Sequence, residues 1–212
     1  MPASVASETY HSGIHNKEHP MKKVEAVQTA SQLEQIDSLL STRDPIYGDI
    51  WRFGLNSALR ISDILALTTD MVKNLDEQRP TLQLREQKTN KEKTILLNRG
   101  ALAVIQRRLK LHPKDEWLFQ SASPKNRRDD PKPINRKSVA RVLKDVGEKV
   151  NPYVHLSCHS MRKTRGKFLY TDHGYSIERV CAILNHSSPS VTMAYIGIVQ
   201  TDIDDSYTEV VL

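Results

Sequence analysis

Between residues 81 and 97 the chain changes its period. Thr81-Leu82-Gln83-Leu84-Arg85 alternates apolar and polar residues as a half-buried strand does, and Lys93 to Leu97 forms a second strand after the polar Lys88-Thr89-Asn90-Lys91 turn. On both sides of this stretch, apolar residues recur at the three- and four-residue spacing of helices. One hairpin, or at most a three-stranded sheet, set among helices restricts the chain to a mainly α fold with a small antiparallel β-sheet.

The helical segments can be placed in turn. Leu33, Ile36, Leu39 and Leu40 predict a first helix, with Ser31 as its cap and Glu34 completing a capping box, and Asp44-Pro45 ends it. From Ile46 to Leu67, the positions of Ile50, Phe53, Leu55, Leu59 and Ile64 suit two buried helices joined near Ser57 to Ser62, with Arg60 at the join. Further helices are predicted over Gly100 to Leu111, Asn135 to Val150, His159 to Tyr170, Ser176 to Leu184 and Pro189 to Ile196. Leu102, Val104, Ile105 and Leu109 form a core stripe on the first of these. Residues 1–25 lack either period and read as a flexible tail, so one compact domain is expected over residues 26–200.

Composition narrows the function classes. The 31 Lys+Arg against 25 Asp+Glu give a net charge of +6, which favours a polyanionic partner without identifying one. No apolar run approaches the roughly 20 residues of a membrane helix, and the first residues lack a secretory signal, so a cytoplasmic protein is expected. Cys158 and Cys181 are too few for a disulfide framework and not spaced as a zinc site; reduced, buried thiols are expected. His112, His155 and His173 show no ligand spacing, and neither a metal nor a cofactor is expected.

Six polar side chains stand out for their combined chemistry: Arg60, Lys88, His159, Arg162, His186 and Tyr195. His159-Ser160-Met161-Arg162 sets an imidazole and a guanidinium three residues apart, and nine residues lead from His186 to Tyr195. A phenol, imidazoles and guanidiniums can attack a phosphodiester without a metal and hold the charge that develops. Each has an ordinary reading as well. Tyr195 can be a core or surface residue, Arg60 a helix-end ion pair with Asp63, Lys88 a turn lysine, and His186 a helix C-cap before Ser187-Ser188-Pro189. Their conjunction, in order and each on the element its role needs, favours the chemical reading.

These residues also carry a family resemblance. Ala58-Leu59-Arg60-Ile61-Ser62-Asp63-Ile64-Leu65 resembles the first arginine box of tyrosine recombinases of the phage integrase family, and Lys88 falls on the hairpin turn where that family keeps its lysine. His159-Ser160-Met161-Arg162 is similar to the second box, Leu184-Asn185-His186-Ser187-Ser188 through Tyr195 to the third, and Trp117-Leu118-Phe119-Gln120-Ser121 to a structural piece before the second. The resemblance covers nearly everything from about residue 30 onward. Two departures are Lys163-Thr164-Arg165 after Arg162, where His and Thr or Ser are more usual, and Asn185 in place of a Gly.

The resemblance implies a catalytic domain that cleaves and rejoins DNA through a 3′-phosphotyrosyl bond, with Tyr195 the nucleophile. Arg60 and Arg162 would clamp the non-bridging oxygens, and His159 would act as base. His186 would donate to a phosphate oxygen and Lys88 would protonate the leaving 5′-oxygen. Asp63, three residues after Arg60, is expected to orient it. The expected role is integration or excision of a phage or mobile element. Alternatives are a type IB topoisomerase or telomere resolvase, and an inactive DNA-binding regulatory module; a metal nuclease is disfavoured because no carboxylates cluster near these residues.

Double-stranded DNA is the expected partner, with Lys125, Arg127 and Arg128 of the basic loop and Arg136, Lys137 and Arg141 of the following helix as candidate phosphate contacts. Residues 201–212, where Ile203, Tyr207 and Val210 share one helix face, are expected to pack on a neighbouring protomer in a dimer to tetramer on DNA, with host or phage accessory proteins as further partners. Only 59 residues precede Arg60, so either a naturally minimal enzyme or an excised catalytic fragment is expected.

Overall fold

The first helix, α1 (Ala30–Arg43), is capped by Thr29, whose hydroxyl accepts from the Gln32 N–H at 3.2 Å, and not by Ser31. Thr29 is the residue in extended conformation (φ −132°, ψ 155°), and the Gln32 side chain returns to the Gln28 N–H, so the reciprocal cap forms two residues earlier than predicted. The computed structural model to which these elements belong describes residues 24, 26–76, 78–123, 130–151 and 155–198. The candidate contacts Lys125, Arg127 and Arg128 lie outside the described residues, as do residues 201–212 and most of the proposed tail.

Asp44 ends α1 and caps α2 (Pro45–Ser57), accepting from the Ile46 N–H at 3.0 Å, with Pro45 at the first helical position where its missing N–H costs nothing. α2 buries Ile46, Ile50, Trp51 and Phe53 at the centre of the main core. α3 (Ile61–Leu65) and α4 (Thr69–Val72) follow, and then the hairpin of β1 (Thr81–Arg85) and β2 (Glu92–Leu96). Its antiparallel register pairs Leu82 with Ile95 and Leu84 with Lys93, so Leu82, Leu84, Lys93 and Ile95 share the inward parity. Among the described residues the sheet has two strands, and Trp117 and Gln120 add isolated bridges to Thr68 and Pro133.

α5 (Arg99–Leu111), capped by Asn98, packs on α2, where Arg107 and Arg52 reach the buried Asp49 at 3.2 and 3.5 Å. Val104 and Ile105 are buried and Leu102 and Leu109 pack partly buried beside them, as the stripe predicts. α6 (Arg136–Val150) lies on α1, burying Val139, Val142, Leu143 and Val146 and leaving Arg136, Lys137 and Arg141 exposed.

α7 (Ser160–Thr171) approaches α2 closely at Gly54, where an added Cβ would lie 2.4 Å from Met161 Sδ. α8 (Ile177–Leu184) and α9 (Pro189–Ile196) fold onto α7 around a second, smaller core of Ala58, Leu169, Val180, Leu184 and Ile196. Both cysteines are free and buried. No helix among the described residues is long and apolar enough to cross a membrane.

Candidate active site

The candidate residues converge where the ends of α2, α7, α8 and α9 meet the hairpin. α2 stops at Ala58 in the left-handed conformation (φ 54°), and Arg60 is the extended residue from which α3 starts. The Arg60 guanidinium donates through Nη1 to Glu86 Oε1 at 2.7 Å. The predicted partner, Asp63, does not orient it. Arg60 is extended (φ −70°, ψ 147°), so the face shared by residues three apart in a helix does not include it, and Asp63 Oδ1 accepts from the Gln87 N–H at 2.9 Å instead.

Arg162, in the first turn of α7, is buried and donates through Nη1 to the Ala58 carbonyl and through Nη2 to the Leu184 carbonyl. It therefore ties the end of α2 to the end of α8. Burial lowers its pKa, an effect that nearby Arg60 adds to and Tyr195 opposes, but a guanidinium keeps its charge in proteins.

Asn185 ends α8 in the left-handed conformation (φ 47°), and its Nδ2 donates to Glu86 Oε2 at 2.9 Å. The next residue, His186, has its Nδ1 3.1 Å from Thr192 Oγ1, and the Thr192 hydroxyl also reaches the Ser188 carbonyl at 3.2 Å. Burial, and then Arg162, Arg60 and Lys93, push the His186 imidazole down to about 4, so it is neutral near pH 7. Its ring meets that of Tyr195 edge on, with centroids 4.7 Å apart.

Tyr195 sits on α9, which Ser188 caps and Pro189 opens. Its hydroxyl is buried and lacks a well-formed hydrogen bond among the described residues. Burial raises the phenol above its usual value, while Arg162 and Arg60 pull it back. Lys163, the departure after Arg162, places Nζ 5.1 Å from the Tyr195 ring centroid and donates to the Val24 carbonyl at 2.9 Å.

His159 and Lys88 stand at the exposed edge of the cluster. Both are exposed, on the N-cap of α7 and on the turn between β1 and β2. Desolvation by surrounding protein, then Arg136, Arg162, Lys163 and Lys88, hold the His159 imidazole below its ordinary value. Arg136 is thus close enough to act on the site, whereas Arg141 acts on Tyr47. Among the described residues no group of His, Cys, Asp and Glu is arranged to hold a metal.

Two residues of the cluster were missed, Glu86 and Lys93. Glu86 is fully buried, bonded to Arg60, Asn185 and, at 2.6 Å, the Thr89 hydroxyl; Lys93 Nζ donates to the Ile183 carbonyl at 3.2 Å and lies 3.9 Å from Glu86 Oε1. Burial by itself would raise the Glu86 carboxyl, but Thr89, Arg60, Asn185 and Lys93 together hold it below the usual range. Burial and Arg162 lower the Lys93 ammonium. Strand parity was the available signal: Glu86 continues the inward positions of Leu82 and Leu84, and Lys93 stands opposite Leu84.

Comparison with known proteins assigns this fold to the tyrosine recombinases. Residues 25–200 match the family described as "Phage integrase family", and the chain belongs to it. It is 33% identical over 178 residues to "Probable integrase/recombinase YoeC" of Bacillus subtilis (strain 168), an alignment covering 84% of this chain and 92% of that one. It is 30% identical over 175 residues to "Tyrosine recombinase XerC" of Caldanaerobacter subterraneus subsp. tengcongensis, covering 82% of this chain but only 45% of the relative. Among solved structures, XerA recombinase superposes with a TM-score of 0.66 at 18% identity, covering 88% of this chain and 65% of that one. The Tn1549 transposon integrase, solved with a circular intermediate DNA, gives 0.63 at 20% identity, covering 88% and 66%. The chain thus spans about two thirds of these solved recombinases.

Proposed function

We propose that this chain cleaves and rejoins DNA through Tyr195, forming a 3′-phosphotyrosyl bond and a free 5′-hydroxyl, with no metal and no ATP. The observation that carries the reading is the buried Tyr195 hydroxyl set beside the Arg162 guanidinium, in a cluster shared with Arg60 and the neutral His186. An isolated phenol with a raised pKa is a poor nucleophile, so a protonated Tyr195 waits unreactive until a phosphate enters.

The reaction follows from the charges. Arg60 and Arg162 neutralise the non-bridging oxygens as charge develops on them, in place of a metal. His159, kept neutral by its surroundings, takes the phenol proton as the Tyr195 oxygen bonds to phosphorus. The bond from phosphorus to O5′ breaks, Lys88 gives O5′ a proton, and His186 steadies a phosphate oxygen. Because Thr192 Oγ1 also reaches the Ser188 carbonyl, the geometry favours a proton on His186 Nδ1; the anionic phosphate draws a second proton onto Nε2, which then donates. The phosphotyrosyl bond conserves bond energy, so a second 5′-hydroxyl can attack it and reseal or exchange strands.

Double-stranded DNA is the proposed substrate. Arg136 and Lys137, at the N-terminal end of α6 next to His159, are proposed phosphate contacts, and Arg141 and the loop residues Lys125, Arg127 and Arg128 are proposed as further ones. Integration or excision of a phage or mobile element is the proposed role, with residues 201–212 joining protomers into a dimer to tetramer, accessory proteins assisting, and the reaction taking place in the cytoplasm. Covalent trapping on genomic DNA of the host tests the reading. Wild-type protein is expected to retain DNA fragments sharing one site through denaturation; relaxation of a single supercoiled plasmid without exchange between sites points to topoisomerase chemistry, and no retained DNA to a binding module.

A further inference from the structure

We propose that Glu86 is a positioning residue for this cleavage, holding the turn that carries Lys88 in register with Arg60 and with the Asn185 bend that leads into His186. The inference rests on the recombinase reading above. It begins from a carboxylate with no exposed surface beside the cations Arg60, Lys93 and Arg162, and the ordinary explanation is charge neutralisation.

Neutralisation accounts for only half of its contacts. Oε1 serves Arg60 at 2.7 Å and Lys93 at 3.9 Å, but Oε2 accepts from the Thr89 hydroxyl at 2.6 Å and the Asn185 amide at 2.9 Å, neither of which carries charge. The backbone of Glu86 closes the same turn, its N–H donating to the Lys91 carbonyl at 2.9 Å and its carbonyl accepting from the Asn90 N–H at 2.8 Å. Asn90 takes the left-handed conformation (φ 54°) that this tight return requires.

Lys88 is therefore exposed but flanked on both sides by fixed neighbours. Gln87 is tied through its N–H to the buried Asp63 of α3, and Thr89 through its hydroxyl to Glu86. A flexible lysine gains accuracy from a fixed backbone, and a displacement of about 1 Å at a reacting group can cost on the order of a hundredfold in rate. The same geometry explains why Asn stands at position 185 where a Gly is more usual: Asn tolerates the left-handed backbone there and adds the amide that reaches Glu86 across 99 residues of sequence.

Leaving-group chemistry tests this. A nicked duplex of the sequence recovered by covalent trapping is made with oxygen or with sulfur at the bridging 5′ position. A thiolate leaves without a proton, so a variant that only misplaces Lys88 is slow on the oxygen duplex and normal on the sulfur one. Thr89→Val removes the hydroxyl at an exposed position and leaves Arg60 untouched. It is expected to slow adduct formation about tenfold or more with oxygen and to match wild type with sulfur. Glu86→Gln is expected to slow both duplexes, the oxygen one more, because it also loosens Arg60. Equal slowing of both duplexes by Thr89→Val, or wild-type rates on both, would overturn the positioning role. Wild-type protein that forms no adduct with either duplex would overturn the recombinase reading, and the positioning role with it.

Discussion

His186 reports on the pocket through its proton. In the folded chain the imidazole stays neutral down to about pH 4, whereas in the unfolded chain it takes a proton below about 6.5, so between these values the unfolded state binds more protons and stability falls as pH falls. Glu86 works in a lower window: its depressed carboxyl contributes stability that is present above the ordinary carboxylate value and is lost as pH falls through the folded one. We expect His186→Gln to flatten the decline of melting temperature between pH 6.5 and pH 4 and to leave the steeper loss below it. An unchanged slope in that interval would place the imidazole in solvent and remove the desolvated pocket from the account. The six candidate residues were legible because their spacing survives in the linear chain. Glu86 and Lys93 were not, because a carboxylate and an amine on a hairpin look like solvated surface until strand parity is followed past β1 to the residue facing Arg60.

At the scale of elements, Tyr195 depends on how α9 seats on α7. Gly166 is the point of closest approach: a Cβ there would lie 2.8 Å from Ile196 Cγ2 and 3.0 Å from Leu184 Cδ1. The branched methyl of Ile196 has little room to move, so Gly166→Ala should push α9 and α8 outward and destabilise the domain by about 1–3 kcal/mol. Because Ile196 adjoins Tyr195 and the Leu184 carbonyl holds Arg162, adduct formation should fall further than the folded fraction measured by circular dichroism. Loss of adduct in strict proportion to unfolding would show that the seating of α9 is structural only. All the helices but α4 were readable from apolar spacing, with Asp44-Pro45 read as the break after α1 and Asn135 and Pro189 as the starts of α6 and α9. The start of α1 was misplaced because Thr29 and Ser31 are both competent caps, and the choice rests on which backbone is extended and whether a returning side chain, here Gln32, is in reach. The i,i+3 pairing of Arg60 with Asp63 failed for a related reason, since it assumed a helical Arg60.

Across the whole molecule, the net charge of +6 matters through its placement. Arg136 and Lys137 stand exposed at the N-terminal end of α6, where backbone N–H groups and side-chain charge both favour an anion, and Arg136 already acts on His159. Arg136→Ala should weaken binding to duplex DNA about equally for different sequences and reduce the slope of log Kd against log salt by about one. A weaker affinity with an unchanged salt slope would mean that Arg136 does not meet a phosphate. On the proposed reading these features serve one act, the transfer of a DNA phosphate onto Tyr195. That act is tested most directly by digesting the trapped protein–DNA complex with nuclease and protease and locating the remaining nucleotide by mass spectrometry. A 3′-linked nucleotide phosphate is expected on the peptide containing Tyr195, and is expected to be absent in a folded Tyr195→Phe variant. A 5′-linked nucleotide, attachment to any other residue, or an adduct that persists in Tyr195→Phe would contradict this expectation.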